Sequence, residues 1–483
     1  MKDVFGPGDD RLIYVTAAPG EFEGKVYSIP VYGGIPRKLL DAVSGQISLS
    51  HDGTQIAFIR CRAESEGVIR LMAASIDGTN EREVHAESGR DGIDVTSPPA
   101  WSPDDSQIAI LKTSTVDLAS RFITVNVENG TTEDISRPEW TYMDAAVWTE
   151  KGLIVAARNN SDANLQLWQI ISKDQPPRKL VNDLNDYTGV SMPRSNGSLL
   201  TVRNVTLSQL WSVALGDPKQ FRAITHGSSS YRDVSFTEQG KLLYSSISSG
   251  SDQIWQTDLE DKDRLCITDG NRDNFSPVAS SDGRFIYFIS RRGGTESVYR
   301  SLADGSDAVK LTSEGETEAE PDISPDGDTV VFLNWLPGSH ALKKVSSDGG
   351  TPVVLNARWN TSPTISPDGK FVAVWHADKF ADDWKLALID VKNGGDPVKT
   401  FPVPSTTGRI RWTADGTALL YIVTDGGVSN IWRQPINGGR PTKVTRFEND
   451  LIFSFDISPD GKTLVCERGT TAFDIILLSD APA

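Results

Sequence analysis

A short polar motif returns along this chain at a nearly fixed interval. That repeat restricts the fold more than any other feature. The motif is an apolar stretch, then Ser-Pro-Asp-Gly or a decayed form of it, then a second apolar stretch. Clean copies are Ser324-Pro325-Asp326-Gly327, Ser366-Pro367-Asp368-Gly369 and Ser458-Pro459-Asp460-Gly461. Near copies are Ser50-His51-Asp52-Gly53, Ser102-Pro103-Asp104-Asp105, Ser280-Ser281-Asp282-Gly283 and Thr413-Ala414-Asp415-Gly416. Weaker forms end at Asp10, Gly152, Gly197 and Gly240. The closing residues stand at 10, 53, 105, 152, 197, 240, 283, 327, 369, 416 and 461, so eleven units follow one another at a mean spacing of about 45. A regular period of roughly 20–50 residues marks a solenoid or a propeller.

The unit itself chooses between them. Residues 275–312 read as four short apolar strands joined by Gly and Asp turns, with no helical period in between. Four antiparallel strands per repeat of this length form a propeller blade. The sequence therefore predicts an all-β chain of tandem β-propellers built from four-stranded blades, about eleven repeats in all. A single core stops growing at roughly 250–300 residues, so two rings are expected from 483 residues. Residues 1–226 would be an N-terminal propeller of about five blades and 227–483 a C-terminal one of about six. A seven-blade second ring starting near 183 is the alternative. The last unit ends at Ile476-Leu477-Leu478 without an evident fourth strand, so a strand from elsewhere is expected to complete it. The repeat-turn residues Asp52, Gly53, Asp104, Asp282, Gly283, Asp326, Gly327, Asp368, Gly369, Asp415, Gly416, Asp460 and Gly461 read as structural. Asp bonds its own backbone amides in such turns, and Gly supplies positive φ.

Chemistry is searched for next. There are 48 Lys and Arg against 65 Asp and Glu, a net charge of −17, which argues against a nucleic-acid partner. No run of 18 apolar residues and no apolar leader after Met1 are present, so neither membrane insertion nor a signal peptide is expected within this chain. Gly-x-Ser-x-Gly, His-Glu-x-x-His, Cys-x-x-Cys, a phosphate loop and the kinase catalytic set are all absent. No catalytic residue and no cofactor are expected. Cys61, Cys266 and Cys466 fall in apolar strands and read as buried small hydrophobes. His51, His85, His226, His340 and His376 are scattered and read as surface residues, although His340 and His376 lie about one repeat apart. One weak calcium candidate exists: Asp269, Asn271 and Asp273 alternate as oxygen ligands can, but Ser280 stands where an EF-hand loop ends in Glu.

The Ser-Pro-Asp-Gly units resemble the PD40, or WD40-like, repeats of the TolB-type β-propeller, which also occur in prolyl-oligopeptidase-type and tricorn-type peptidases. The segments Val26–Leu40, Asn182–Tyr187, Asp425–Pro435 and Ile452–Ser458 are similar to the C-terminal propeller region of bacterial serine/threonine kinases or winged-helix regulators. The resemblance implies a non-catalytic sensing or binding module, the protein- or ligand-binding part of a larger bacterial signalling protein. It also implies an extracytoplasmic or periplasmic place in the full-length protein. The start at Met1-Lys2-Asp3-Val4-Phe5 is read as a trimmed N-terminus. The partner would be a protein, peptide or small molecule of unknown identity. The alternative is a catalytic propeller or the gating domain of a prolyl-oligopeptidase/tricorn-type peptidase. That alternative requires paired acids or a His-metal cluster converging on one channel.

Overall fold

The computed structural model describes residues 2–5, 11–17, 23–61, 68–87, 91–114, 120–135, 140–159, 164–181, 183, 185–192, 198–216, 220–226, 230–247, 251–268, 270, 272–292, 295–312, 317–336, 339–379, 383–404 and 408–479. Every regular element among them is a β-strand. The repeat turns work as hairpin corners because their glycines adopt positive φ, as at Gly283 (φ 70) and Gly369 (φ 72). The chain divides into two compact units, one of Met1–Val205 with Ala472–Ala483 and one of Thr206–Thr471.

In the first unit the strands Lys2–Phe5, Arg11–Thr16, Glu23–Pro30, Arg37–Leu49, Gln55–Cys61, Ile69–Ser75 and Arg82–Glu87 form one seven-stranded sheet. Two repeats merge there because Arg37–Leu49 serves both. Its first half pairs with Glu23–Pro30 and its second with Gln55–Cys61. The strand bends between the halves at Ala42 (φ 53) and Gly45 (φ 84). A Cβ on Gly45 would stand 1.8 Å from the Val95 carbonyl oxygen, so this close approach requires glycine. A five-stranded sheet around Gln107–Ser114 and a four-stranded sheet from Trp140 to Lys179 follow.

In the second unit, four-stranded sheets start at Tyr231–Phe236, Asn274–Ala279 and Ile410–Trp412. Between them lies an eight-stranded sheet from Thr317 to Phe401, fused by one parallel pairing of His340 with Trp359. The strand Leu451–Ile457 pairs with Thr463–Leu478, which neighbours Leu199–Ala214. The cores sit between neighbouring sheets. Tyr287, Ile289, Val298 and Leu311 of one sheet pack on Ile323, Val330, Phe332 and Val345 of the next. Each such side chain contributes about 1.5–3 kcal/mol by leaving water.

The predicted tandem β-propellers of about eleven four-stranded blades are corrected by the sheet pairing. Among the described residues the strands form eight sheets of seven, five, four, five, four, four, eight and four strands, and none closes into a barrel. Several four-stranded sheets are present, but neighbouring repeats share ladders through the bent strand Arg37–Leu49 and through the pairing of His340 with Trp359. The architecture is mostly antiparallel β-sheet.

Candidate functional site

The first strand of each repeat in the second unit carries two side chains at fixed distances before the turn glycine. Seven and five residues before Gly240, Gly283, Gly327, Gly369, Gly416 and Gly461 stand Asp233 and Ser235, Ser276 and Val278, Glu320 and Asp322, Ser362 and Thr364, Arg409 and Arg411, and Ser454 and Asp456. The ladder loses register at the first of these positions in four of the six first strands, and one residue earlier, between Ile452 and Ser454, in the last. Asp233, Ser276, Glu320 and Ser362 take φ of 55, 53, 50 and 54. A bulge re-aims its side chain, and non-glycine residues at positive φ are uncommon. In these four repeats the bulge turns one polar side chain out of its own ladder, whereas the strand after Arg409 is regular and Ser454 pairs with Glu467.

These side chains reach across from one first strand to another. Asp233 Oδ2 accepts from the Ser276 amide and hydroxyl, both at 3.2 Å, and from Ser245 Oγ at 3.3 Å. Glu320 accepts from the Ser362 amide at 2.6 Å and Asp322 from the Ile365 amide at 2.7 Å. Asp456 accepts from Arg411 Nε at 2.9 Å and from the Phe236 amide at 2.7 Å. Arg409 lies 3.7 Å from Asp233 and donates to Ser454 Oγ at 3.4 Å. Glu467, on the neighbouring strand, is buried and hydrogen-bonds the Ser208 side chain.

The electrostatics follow from crowding. Burial, then the Asp233 charge, pushes the Glu467 carboxyl up to about 8. Burial also raises Glu320 and Asp322, opposed by their amide donors and by Arg409 and Arg411. Burial and the neighbouring Arg411 charge bring Arg409 down to about 10. The cluster opens towards solvent at Asp233 and Arg232, whose side chains are 30% and 42% exposed. The arrangement can therefore meet a cation with its carboxyls, meet an anion with its guanidinium pair, and move a proton near neutral pH.

None of these cluster residues was singled out from sequence. The available signal was the fixed offset from the turn glycine, at which Asp, Ser, Glu, Ser, Arg and Ser succeed one another. Sequence does not say that a bulge turns that position towards its neighbours.

The structure places the turn carboxylates elsewhere. Asp52, Asp104, Asp282, Asp326, Asp368, Asp415 and Asp460 each accept from the Ser or Thr two residues earlier, at 2.5–2.7 Å. Each also accepts from the amide two residues on, as Arg284 donates to Asp282 at 2.9 Å. Successive turns adjoin, as where Ser281 Oγ donates to the Pro325 carbonyl at 2.7 Å, but each carboxylate is spent within its own turn. Of the calcium candidates, Asp269 and Asn271 lie outside the described residues. Asp273 is buried, pairs with Arg291 and accepts from the Asp252 amide at 3.1 Å. Among the described residues no group of three or more His, Cys, Asp or Glu is arranged to hold a metal ion.

Two smaller expectations are corrected. His376 is buried, not superficial, with Nδ1 3.0 Å from Asn360 Oδ1, while Asn360 Nδ2 donates to the His340 carbonyl at 3.2 Å. His340 stacks on Trp335 at 4.9 Å between ring centroids. Of the cysteines only Cys466 is buried, which pushes its thiol up to about 12. Cys61 is half-buried, and Cys266 is exposed because it lies on a two-residue outer strand.

Comparison with known proteins bears on the repeats. The family model described as the TolB beta propeller domain, PD40, matches residues 235–399. PD40, TolB-like repeat sequence is therefore present over residues 235–399. No curated protein matches it. Among solved structures, a protein assigned as TolB from Agrobacterium tumefaciens is 14% identical, with 55% of this chain and 99% of that chain covered and a TM-score of 0.46. An oligogalacturonate lyase in complex with manganese is 18% identical, with 57% and 76% covered and a TM-score of 0.38. The β-propeller domain of the trilobed protease from Pyrococcus furiosus is 14% identical, with 63% and 95% covered and a TM-score of 0.30. Scores and identities this low carry no argument about ligand or activity. Among the described residues no helix is long and apolar enough to cross a membrane.

Proposed function

We propose that the unit Thr206–Thr471 is a substrate-handling module of PD40-type repeats, catalytic or peptidase-gating, that takes a short zwitterionic ligand such as an unblocked peptide at the cluster of first strands. One observation carries this reading: the carboxyls of Asp233 and Glu320 at first-strand bulges, and that of Asp322 beside them, lie within electrostatic reach of the guanidinium pair of Arg409 and Arg411 in a single unit. The acidic side suits an ammonium group, and the arginines suit a carboxylate. Glu467, with its carboxyl near 8, is the group suited to general acid–base work.

Binding without chemistry is the second reading, favoured by the engagement of Asp456 with both Arg411 and the Phe236 amide, which spends those groups on structure. In that case the unit serves as an extracytoplasmic sensing module of a larger signalling protein.

Calorimetric titration with triglycine separates the outcomes. Triglycine is expected to bind, its N-acetylated amide to bind at least about tenfold more weakly, and Asp233→Asn to lose the difference. Equal binding of both peptides, or of neither, overturns the assignment. Cleavage of the bound peptide, read by mass spectrometry, supports the catalytic form, and an intact peptide the binding form.

A further inference from the structure

The last sheet of the unit Met1–Val205 with Ala472–Ala483 contains Asp186–Ser191, the first half of Leu199–Ala214 and the second half of Thr463–Leu478. Along Ala472–Leu478 the side chains alternate, as a strand requires. One row is engaged. Leu478 packs on the cluster of Ile154, Ala156, Leu167, Tyr187 and Leu199, and Asp474 pairs with Arg203 at 2.8 Å. The other row is not: Phe473, Ile475 and Leu477 are 68%, 77% and 56% exposed. Contiguous apolar exposure of this kind marks an interaction surface.

The backbone is open as well. The pairing of Leu451–Ile457 with Thr463–Leu478 ends at Gly469. Among the described residues, no strand pairs with the outer edge of Ala472–Leu478. Native edges are guarded by Lys, Pro or a bulge. The segment Ala-Phe-Asp-Ile-Ile-Leu-Leu has neither Lys nor Pro, and its one charge, Asp474, is held by Arg203.

The segment is also complementary to itself. Paired antiparallel with its own copy about Ile475, it sets Phe473 opposite Leu477 and Asp474 opposite Ile476. The two Asp474 carboxylates are then not opposed, and the two exposed rows merge into one cross-strand apolar ladder. A two-fold contact requires such self-complementarity.

We propose that Ala472–Leu478 is a dimerisation edge, at which a second copy of this chain adds strand to strand and continues the sheet. The net charge of −17 makes two copies repel at low ionic strength, so salt strengthens the dimer.

Sedimentation velocity of the full chain tests this across protein concentration at low salt and at about 0.5 M salt. A concentration-dependent dimer, tighter in salt, is expected. Phe473→Lys with Ile475→Lys should weaken it at least about tenfold. Phe473→Ser with Ile475→Thr, which keeps strand-compatible residues, should weaken it in the same direction, with circular dichroism confirming both folds. Hydrogen exchange at amides 472–478 should slow as the dimer forms. A dimer indifferent to both double variants overturns the proposal. So does a monomer at every concentration, whether its amides there exchange slowly, covered by the chain's own residues, or fast, left for a different protein.

Discussion

The hairpin turns and the first-strand cluster of the second unit hold the same chemical group in opposite states. At the turns, Asp282 and Asp368 are brought down to about 2, by Ser280 and Ser366 first and then by the adjoining donors. Asp326, Asp415 and Asp460 move in the same direction for the same reason. In the cluster, burial drives Glu320 and Asp322 upwards and takes Glu467 to about 8. A turn carboxylate recurs because each repeat needs the same local hydrogen bonds. The cluster position changes from repeat to repeat, from Asp233 to Ser276, Glu320, Ser362, Arg409 and Ser454. The bulged backbone is common to the first four of these positions, and a place where residue type varies over a shared backbone is where individual chemistry can be installed.

The largest expected effect breaks the cluster. Arg411→Ala removes the guanidinium from Asp456 and leaves a largely buried carboxylate with amide donors alone. Leaving such a charge unpaired costs about 3–5 kcal/mol. A urea midpoint shifted by far less would mean that water already reaches Asp456. A smaller effect comes from Glu467, whose ordinary value of 4.5 is raised to about 8 in the folded chain. The folded state then holds a proton that the unfolded state releases, so this group's contribution is complete below about pH 4.5 and lost as pH rises to about 8. Glu467→Gln should flatten that limb, by on the order of 1–3 kcal/mol between pH 5 and 9. Denaturant titrations at both pH values check it, and an unchanged slope would place the raised carboxyl elsewhere.

The repeat, the strands and the turn chemistry were legible in the sequence because Ser-Pro-Asp-Gly acts within a few residues of itself. The sheets were less so. Arg37–Leu49 runs through two repeats by bending at Ala42 and Gly45, where Ser44-Gly45 reads in sequence as an ordinary turn. The fusion at His340 and Trp359 is a single bridge between repeats, set by how their sheets approach. The cluster left a trace in the fixed offset from the turn glycine. Its partners did not, because the Phe236 amide meets Asp456 across 220 residues of chain. Residue spacing records what a segment does to itself, and pairing across the unit is decided by packing.

The smallest expected effect sharpens the contrast from the other side. Asp368 accepts from Ser366 Oγ at 2.6 Å and from the Lys370 amide at 3.2 Å, both on an exposed turn. Its ion pair with Lys370 Nζ at 2.9 Å lies in solvent and is worth little. Asp368→Ala should therefore cost only about 0.5–1.5 kcal/mol at pH 7, the net worth of the lost hydrogen bonds. Asp368→Asn keeps one acceptor oxygen and should cost less. Because the folded carboxyl lies near 2, below its ordinary 3.8, its contribution is present above about pH 3.8 and disappears as pH falls towards 2. The wild-type and Asp368→Ala midpoints should converge over that interval, opposite in sign to the Glu467 limb. An alanine variant as damaging as Arg411→Ala would show that the turns, too, act through the packing of neighbouring repeats, and the division between local turn and shared cluster would fall.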